Sequence, residues 1–173
     1  LMVSPGQING QLPAAVPAGK ATFIVRTAGG TSDPFTATVS ATAPAVFQTA
    51  SAGPATGLPA LYRFVNYEPV TLSNPVHPED YLVIYVTGLG ATTPVVEDGV
   101  PASANPYAVA NNVPVVRLGG TTLPVLYAGL VPGLVGVYQI NVYVPENITL
   151  GTSVPLVITR PGGDVSMSVR VVR

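Results

Sequence analysis

The chain has no cysteine and no tryptophan, and only one histidine. It has seven Lys and Arg residues against eight Asp and Glu. Each scarcity removes a class of chemistry. Without cysteine there is no disulfide, no thiolate nucleophile and no Cys-based metal site. The basic residues are scattered and the formal net charge is -1, so no basic patch exists to neutralise phosphates and no nucleic-acid partner is expected. Charged residues make up 9% of the chain, against roughly 25% in an average soluble domain. A chain so poor in charge is expected to be packed against copies of itself, against other partners or under glycans. No window shows an apolar period of 3.6 residues with caps, so helices are not expected.

What the chain has in quantity is Gly and Pro, 18 and 19 of its 173 residues, interleaved with short β-rich runs. Strands are expected at 7–12, 21–27, 35–40, 61–67, 81–87, 113–118, 123–127, 137–144, 154–159 and 165–172. Tyr81–Thr87 is the cleanest, with Leu82, Ile84 and Val86 alternating against Tyr81, Val83 and Tyr85. Gly119-Gly120 between two such runs signals a hairpin, and residues 91–112 read as a long loop. From Leu118 to Pro145 there is no charged residue, long enough to suggest a membrane span. Its prolines and glycines, and the alternation of Tyr138, Ile140, Val142 and Val144, instead indicate two strands, and no membrane span is expected. The fold class read from this pattern is all-β, an antiparallel β-sandwich of immunoglobulin-like type.

One stretch occurs twice. Gln7-Ile8-Asn9 and Pro13 recur as Gln139-Ile140-Asn141 and Pro145, and at the same spacing Gly19 matches Gly151, Val25 Val157, Thr27 Thr159, Gly30 Gly162 and Val39 Val171. A fixed self-similarity marks a repeated supersecondary unit. The expected organisation is a partial, three-strand unit at 1–43, a Pro/Gly/Ala-rich linker at 44–59 and a complete sandwich at 60–173. The second copy falls at 137–172. The first copy starts almost at Leu1, so the strands that would complete it are expected to be missing, and the chain to be processed or excerpted, with any signal peptide removed. Its apolar residues Ile8, Leu12, Phe23, Val25, Phe35 and Val39 are then candidates for an assembly face.

Several of these motifs together are specific. Gly88-Leu89-Gly90, Asp98-Gly99, Leu118-Gly119-Gly120, Tyr127-Ala128-Gly129-Leu130, Pro132-Gly133 and Gly136-Val137-Tyr138-Gln139-Ile140-Asn141 with Val144-Pro145 resemble the Solibacter-type C-terminal domain family. Ser4-Pro5-Gly6-Gln7-Ile8-Asn9 and Ala43-Pro44-Ala45-Val46-Phe47 resemble the same pattern, so the likeness spans nearly the whole chain. A departure is Gly10, where the later copy has Val142. The family occurs at the ends of large secreted proteins of Acidobacteria and their relatives. The resemblance implies an extracellular, immunoglobulin-like architecture and no established activity.

The residues that could carry chemistry are few. His77 lies near Ser73 and Asp80, but no G-x-S-x-G elbow is present and a solvated turn histidine is the expectation. Glu79-Asp80 and Glu97-Asp98 are adjacent pairs whose side chains point apart in an extended chain. Solubilising charge is expected there rather than a Ca²⁺ site, which needs several converging oxygens. Gly88-Leu89-Gly90 lacks the third glycine and following helix of a nucleotide loop, so it reads as a turn. The eight tyrosines are a conceivable sugar platform, but most alternate with aliphatics, so packing in the core or between sheets is expected. Asn147-Ile148-Thr149 is a formal glycosylation sequon in an expected loop. No catalytic residue, metal or cofactor is expected. The function expected is that of a non-enzymatic, extracellular or cell-surface structural module, self-assembling into a filament or surface layer by β-strand complementation. The partners expected are other copies of itself, with surface glycans second. The alternatives are a carbohydrate-binding or adhesive module, and an accessory domain of a larger secreted enzyme.

Overall fold

The computed structural model describes residues 2–49 and 57–173, so the middle of the linker read at 44–59 lies outside the described residues. The described residues form strands and turns without a helix, and none therefore forms a helix long and apolar enough to cross a membrane. In chain order the strands are β1 (Met2–Ser4), β2 (Gln7–Asn9), β3 (Gly19–Phe23), β4 (Arg26–Thr27), β5 (Gly30–Thr31), β6 (Phe35–Val39), β7 (Ala45–Val46), β8 (Leu61–Arg63) and β9 (Tyr81–Thr87). They continue as β10 (Thr92–Thr93), β11 (Val109–Ala110), β12 (Val115–Leu118), β13 (Thr121–Leu123), β14 (Val125–Leu130), β15 (Tyr138–Tyr143), β16 (Gly151–Arg160) and β17 (Gly163–Val171).

Every pairing between these strands is antiparallel. A seven-stranded sheet runs β10-β11-β14-β15-β9-β7, with β8 also on β9, and a four-stranded sheet runs β13-β12-β16-β17. The chain crosses from one sheet to the other between β11 and β12, β13 and β14, and β15 and β16. The two sheets share one core. Leu82, Ile84, Val86, Ile140 and Val142 of the large sheet meet Val116, Leu118, Leu156, Ile158 and Val171 of the small one, all essentially inaccessible to water. Each such aliphatic side chain contributes about 1.5–3 kcal/mol on burial.

Local sequence explains most of the elements. β12 and β13 close through Gly119 and Gly120, both at positive φ (57° and 86°), between the paired Leu118 and Thr121. That is the two-residue hairpin for which adjacent glycines are suited. Two expectations need correction. The strand read at 61–67 ends at Arg63, because Tyr67 takes a positive φ of 55° and the chain folds back, Tyr67 N donating to Arg63 O and Arg63 N to Glu68 O. The loop read at 91–112 contains β10 and β11, which pair with each other and through Val109 with Gly129.

The tyrosines depart from expectation too. Tyr81, Tyr85 and Tyr143 lie on the faces of β9 and β15 opposite to Leu82, Ile84, Ile140 and Val142, so they face away from the core. Both faces of β9 are apolar in sequence. The aliphatic set fills the space between the sheets, and the phenols, which keep a hydroxyl to satisfy, take the outer side. Tyr138 alone sits on the core side, its hydroxyl donating to Gly90 O.

The beginning of the linker is part of the fold. β7 pairs with Thr87 and Val86 of β9, and Ala43 N donates to Gly88 O at 2.9 Å. Thr42 Oγ1 donates to Pro161 O in the β16–β17 turn. Residues 41–43 thus form a strap across two turns, and glycines make its seat. A Cβ on Gly88 (φ 74°) would overlap the Ala43 carbonyl, and one on Gly162 (φ 104°) the Thr42 carbonyl. Beneath the strap, buried Arg160 donates through Nη2 to Leu89 O.

The seat can be tested by comparing Gly88→Ala with Gly133→Ala. Both glycines are left-handed, φ 74° and 78°, but nothing lies within 4 Å of a Cβ at Gly133. Gly133→Ala should cost about 1–2 kcal/mol in urea unfolding, the conformational penalty alone. Gly88→Ala should cost clearly more and expose residues 41–46 to protease; equal costs would show that the strap is not held there.

Candidate functional site

The first unit is built as hairpins. β1 and β2 pair through Val3↔Ile8 across the Pro5-Gly6 turn, and β3 pairs with β6 along Gly19↔Val39, Ala21↔Ala37 and Phe23↔Phe35. These pairs place Ala21, Phe23, Phe35, Ala37 and Val39 on one face of the β3–β6 hairpin and Lys20, Thr22, Thr36 and Thr38 on the other. The apolar face is open. Phe35 is 67% exposed, Phe23 39% and Ile8 53%. Leu12 and Val25 are exposed as well, and Val39 is half-buried. Of the six residues read as an assembly face, the hairpin brings Phe23, Phe35 and Val39 onto one side. Ile8 belongs to the β1–β2 hairpin, while Leu12 and Val25 lie outside strands.

The two copies agree in part. Gln7 Nε2 donates to Asn9 Oδ1 at 2.7 Å, and Gln139 Nε2 to Asn141 Oδ1 at 2.8 Å. Each copy continues into a hairpin, β3–β6 or β16–β17. The registers start alike, Gly19 facing Val39 and Gly151 facing Val171, and part by one residue at a bulge between Gly151 and Val154: Ala37 faces Ala21, whereas its counterpart Val169 faces Val154, the counterpart of Thr22. A one-residue change in pairing moves a strand's side chains to the other face. It accounts for Phe23 standing on the apolar face of its hairpin where the matching Pro155 lies outside the core.

Few bonds join this unit to the body. Ala14 N donates to both carboxylate oxygens of Asp98, at 3.0 and 3.2 Å, and Gly99 N donates to Gln11 Oε1 at 2.7 Å. Asp98, read as solubilising charge, is a tether for the 11–14 segment.

His77 is not a freely solvated side chain. Its Nδ1 lies against Arg63 Nη2, while Asp80 Oδ2 accepts from His77 N at 2.7 Å and from Arg63 Nε at 3.1 Å. Arg63 Nη2 also donates to Pro75 O. Ser73 Oγ pairs with Thr71 Oγ1 at 3.1 Å rather than with the imidazole. The cluster fastens the 73–80 loop to β8. Among the described residues no group of three His, Cys, Asp or Glu side chains converges as metal ligands would. Asn147 is exposed in a turn, with Ile148 buried beside it.

On the outer side of the large sheet, burial, a hydrogen bond with Tyr67 and the neighbouring Tyr67 and Tyr62 phenols push the Tyr85 hydroxyl up to about 12. Burial also raises Tyr127, helped by Tyr107. Comparison of the chain with protein-family models, with curated proteins and with solved structures finds no match.

Two predictions follow from these contacts. Asp80→Ala strips a carboxylate from Arg63 and an acceptor from the His77 amide, and should cost about 1.5–3 kcal/mol in urea unfolding. His77→Ala should cost about 1 kcal/mol or less. In a spectrophotometric titration one tyrosine should ionise near pH 12, and Tyr85→Phe should delete that component. The folded state holds this proton more tightly than the unfolded chain, so the stabilisation is complete below about pH 10 and fades as pH rises toward 12. Loss of an ordinary component instead would refute the assignment.

Proposed function

We propose that the protein is a non-enzymatic, extracellular structural module that assembles with copies of itself through the β3–β6 hairpin. The observation that carries this reading is the open apolar face bearing the Phe23–Phe35 pair, on a chain whose main core is already filled. A hairpin with one apolar side needs an opposing β surface. In the body, β16–β17 meets the large sheet; among the described residues the first hairpin has no such layer, and a second copy supplies one without a new partner. Scarce charge favours this occupant, because few ions need be stripped of water when two such faces meet. A head-to-tail contact of this kind does not close, and it propagates into a filament or layer.

The finer architecture is read as immunoglobulin-like, supported by the three crossings between antiparallel sheets. Kinship with the Solibacter-type C-terminal domain family belongs to the same proposal and rests on the glycine-centred motifs quoted above, as does the extracellular location.

Light scattering over a concentration series tests the assembly. The wild-type chain should grow in mass, and Phe23→Asp with Phe35→Asp should remain monomeric. Because both rings are exposed, the body's unfolding free energy should change by no more than about 0.5 kcal/mol. A wild-type chain that stays a compact monomer at every concentration, with residues 2–43 protected from protease, would overturn the proposal.

A further inference from the structure

The outer face of the large sheet has a chemistry of its own. The outward positions of β15 are Gln139, Asn141 and Tyr143, and the register sets them opposite Tyr85, Val83 and Tyr81 of β9. Tyr62 of β8 follows beside Val83. The two central strands therefore present a strip in which a carboxamide pair is flanked by phenols over Val83, which is itself fully buried, with no charged side chain at those positions. Neighbouring strands lie about 4.8 Å apart and successive outward residues about 6.8 Å apart, which sets the spacing of these side chains across the strip.

The strip is preorganised. The Tyr81 and Tyr143 rings sit 5.1 Å apart, tilted, and the Tyr62 and Tyr85 rings 5.7 Å apart, edge to face. Tyr81 is 46% exposed and Tyr143 partly so. Gln139 and Asn141 are bonded to each other, which orients the pair while leaving the Gln139 oxygen and an Asn141 N–H for a ligand. Glu79 and Glu146 bring negative charge to the Tyr143 end.

We propose that this strip binds a neutral polysaccharide with flat pyranose rings, such as a β-1,4-linked glucan. The C–H faces of the sugars lie on the tyrosine rings, and their hydroxyls bond to the carboxamides and phenols. Rings supply contact area without ordering cost, and a few fixed polar groups set orientation. The bordering carboxylates disfavour anionic polymers. The first unit provides an internal control: Gln7 and Asn9 form the same carboxamide bond, but they pair with Ser4 and Met2, and no aromatic ring stands opposite them.

The proposal is independent of self-assembly. It is tested on the full chain both as wild type and as the Phe23→Asp, Phe35→Asp variant, so that retention is read apart from polymer mass. The probes are insoluble cellulose in a pull-down and soluble xyloglucan in affinity electrophoresis. Both forms should be retained on at least one of them. Tyr81→Ala with Tyr143→Ala, and separately Gln139→Ala, should weaken retention by about ten-fold or more. The Tyr81→Phe, Tyr143→Phe variant should keep most of it, and Gln7→Ala with Asn9→Ala all of it. Since the chain has no tryptophan, its tyrosine emission reports directly, and it should change on titration with xyloglucan even if an alanine variant fails to fold. No retention and no emission change with either polysaccharide would overturn the proposal. So would unchanged retention in a folded Tyr81→Ala, Tyr143→Ala variant, or a preference for polygalacturonate.

Discussion

The structure depends on which face of β15 is buried. The strand is hydrogen-bonded on both sides, to β14 and along six residue pairs to β9, and it sends Ile140 and Val142 into the space between the sheets. A slip of one residue against either neighbour would exchange those side chains for Gln139, Asn141 and Tyr143. The core would then hold two carboxamides without water, at a cost of about 1–3 kcal/mol for each unsatisfied group, and lose the aliphatic contribution as well. The register is thus enforced from both directions. The same choice puts the carboxamides and tyrosines on the outside, so the character of the outer face follows from the packing of the inner one.

A second constraint is the approach of backbone to backbone at the strap. Gly88 and Gly162 accept the carbonyls of Ala43 and Thr42 where a side chain would stand. The strap in turn covers Arg160, whose pKa is lowered by burial, the Tyr138 phenol opposing that shift. Three segments distant in sequence therefore meet at one place: residues 41–43, the turn after β9 and the turn between β16 and β17. Their meeting delivers the chain from the first unit into the edge of the large sheet as β7.

The parts of this fold that were legible in sequence are those fixed by local pattern. The alternation at 81–87 and 138–143 is a property of a strand half in and half out of a core, and Gly119-Gly120 encodes its hairpin by φ alone. The strap was not legible, because Gly88-Leu89-Gly90 has the composition of any turn and the segment seated on it lies more than forty positions upstream. Nor could the outer face be assigned from β9, where Tyr81, Val83 and Tyr85 look as suited to burial as Leu82, Ile84 and Val86. The decision belongs to the shape of the opposing sheet. The repeat was visible as identities, yet beyond a bulge after Gly151 the second copy pairs one residue out of step with the first, a difference that resides in pairing and cannot be read from the matching letters. His77, near Ser73 and Asp80, read as a solvated turn residue because Arg63, which lies against it, belongs to β8, fourteen residues before it.

The two uncharged surfaces, the hairpin face and the outer strip, are divided by residue type in a way that bears on their use. No tyrosine occurs before Tyr62, and the aromatic residues of the first unit are Phe23 and Phe35. A phenyl ring carries no group that must keep a hydrogen bond, so it enters a dry interface at no polar cost. A phenol buried in the same way needs a partner for its hydroxyl, and it suits a surface that stays wet or meets hydroxylated matter. Placing Phe on the open hairpin and Tyr on the outer strip is therefore consistent with a protein contact at the first and a hydrated ligand at the second. Exchanging the two residue types between the sites would leave hydroxyls stranded at one and leave the Gln139–Asn141 carboxamides to supply the polar contacts at the other.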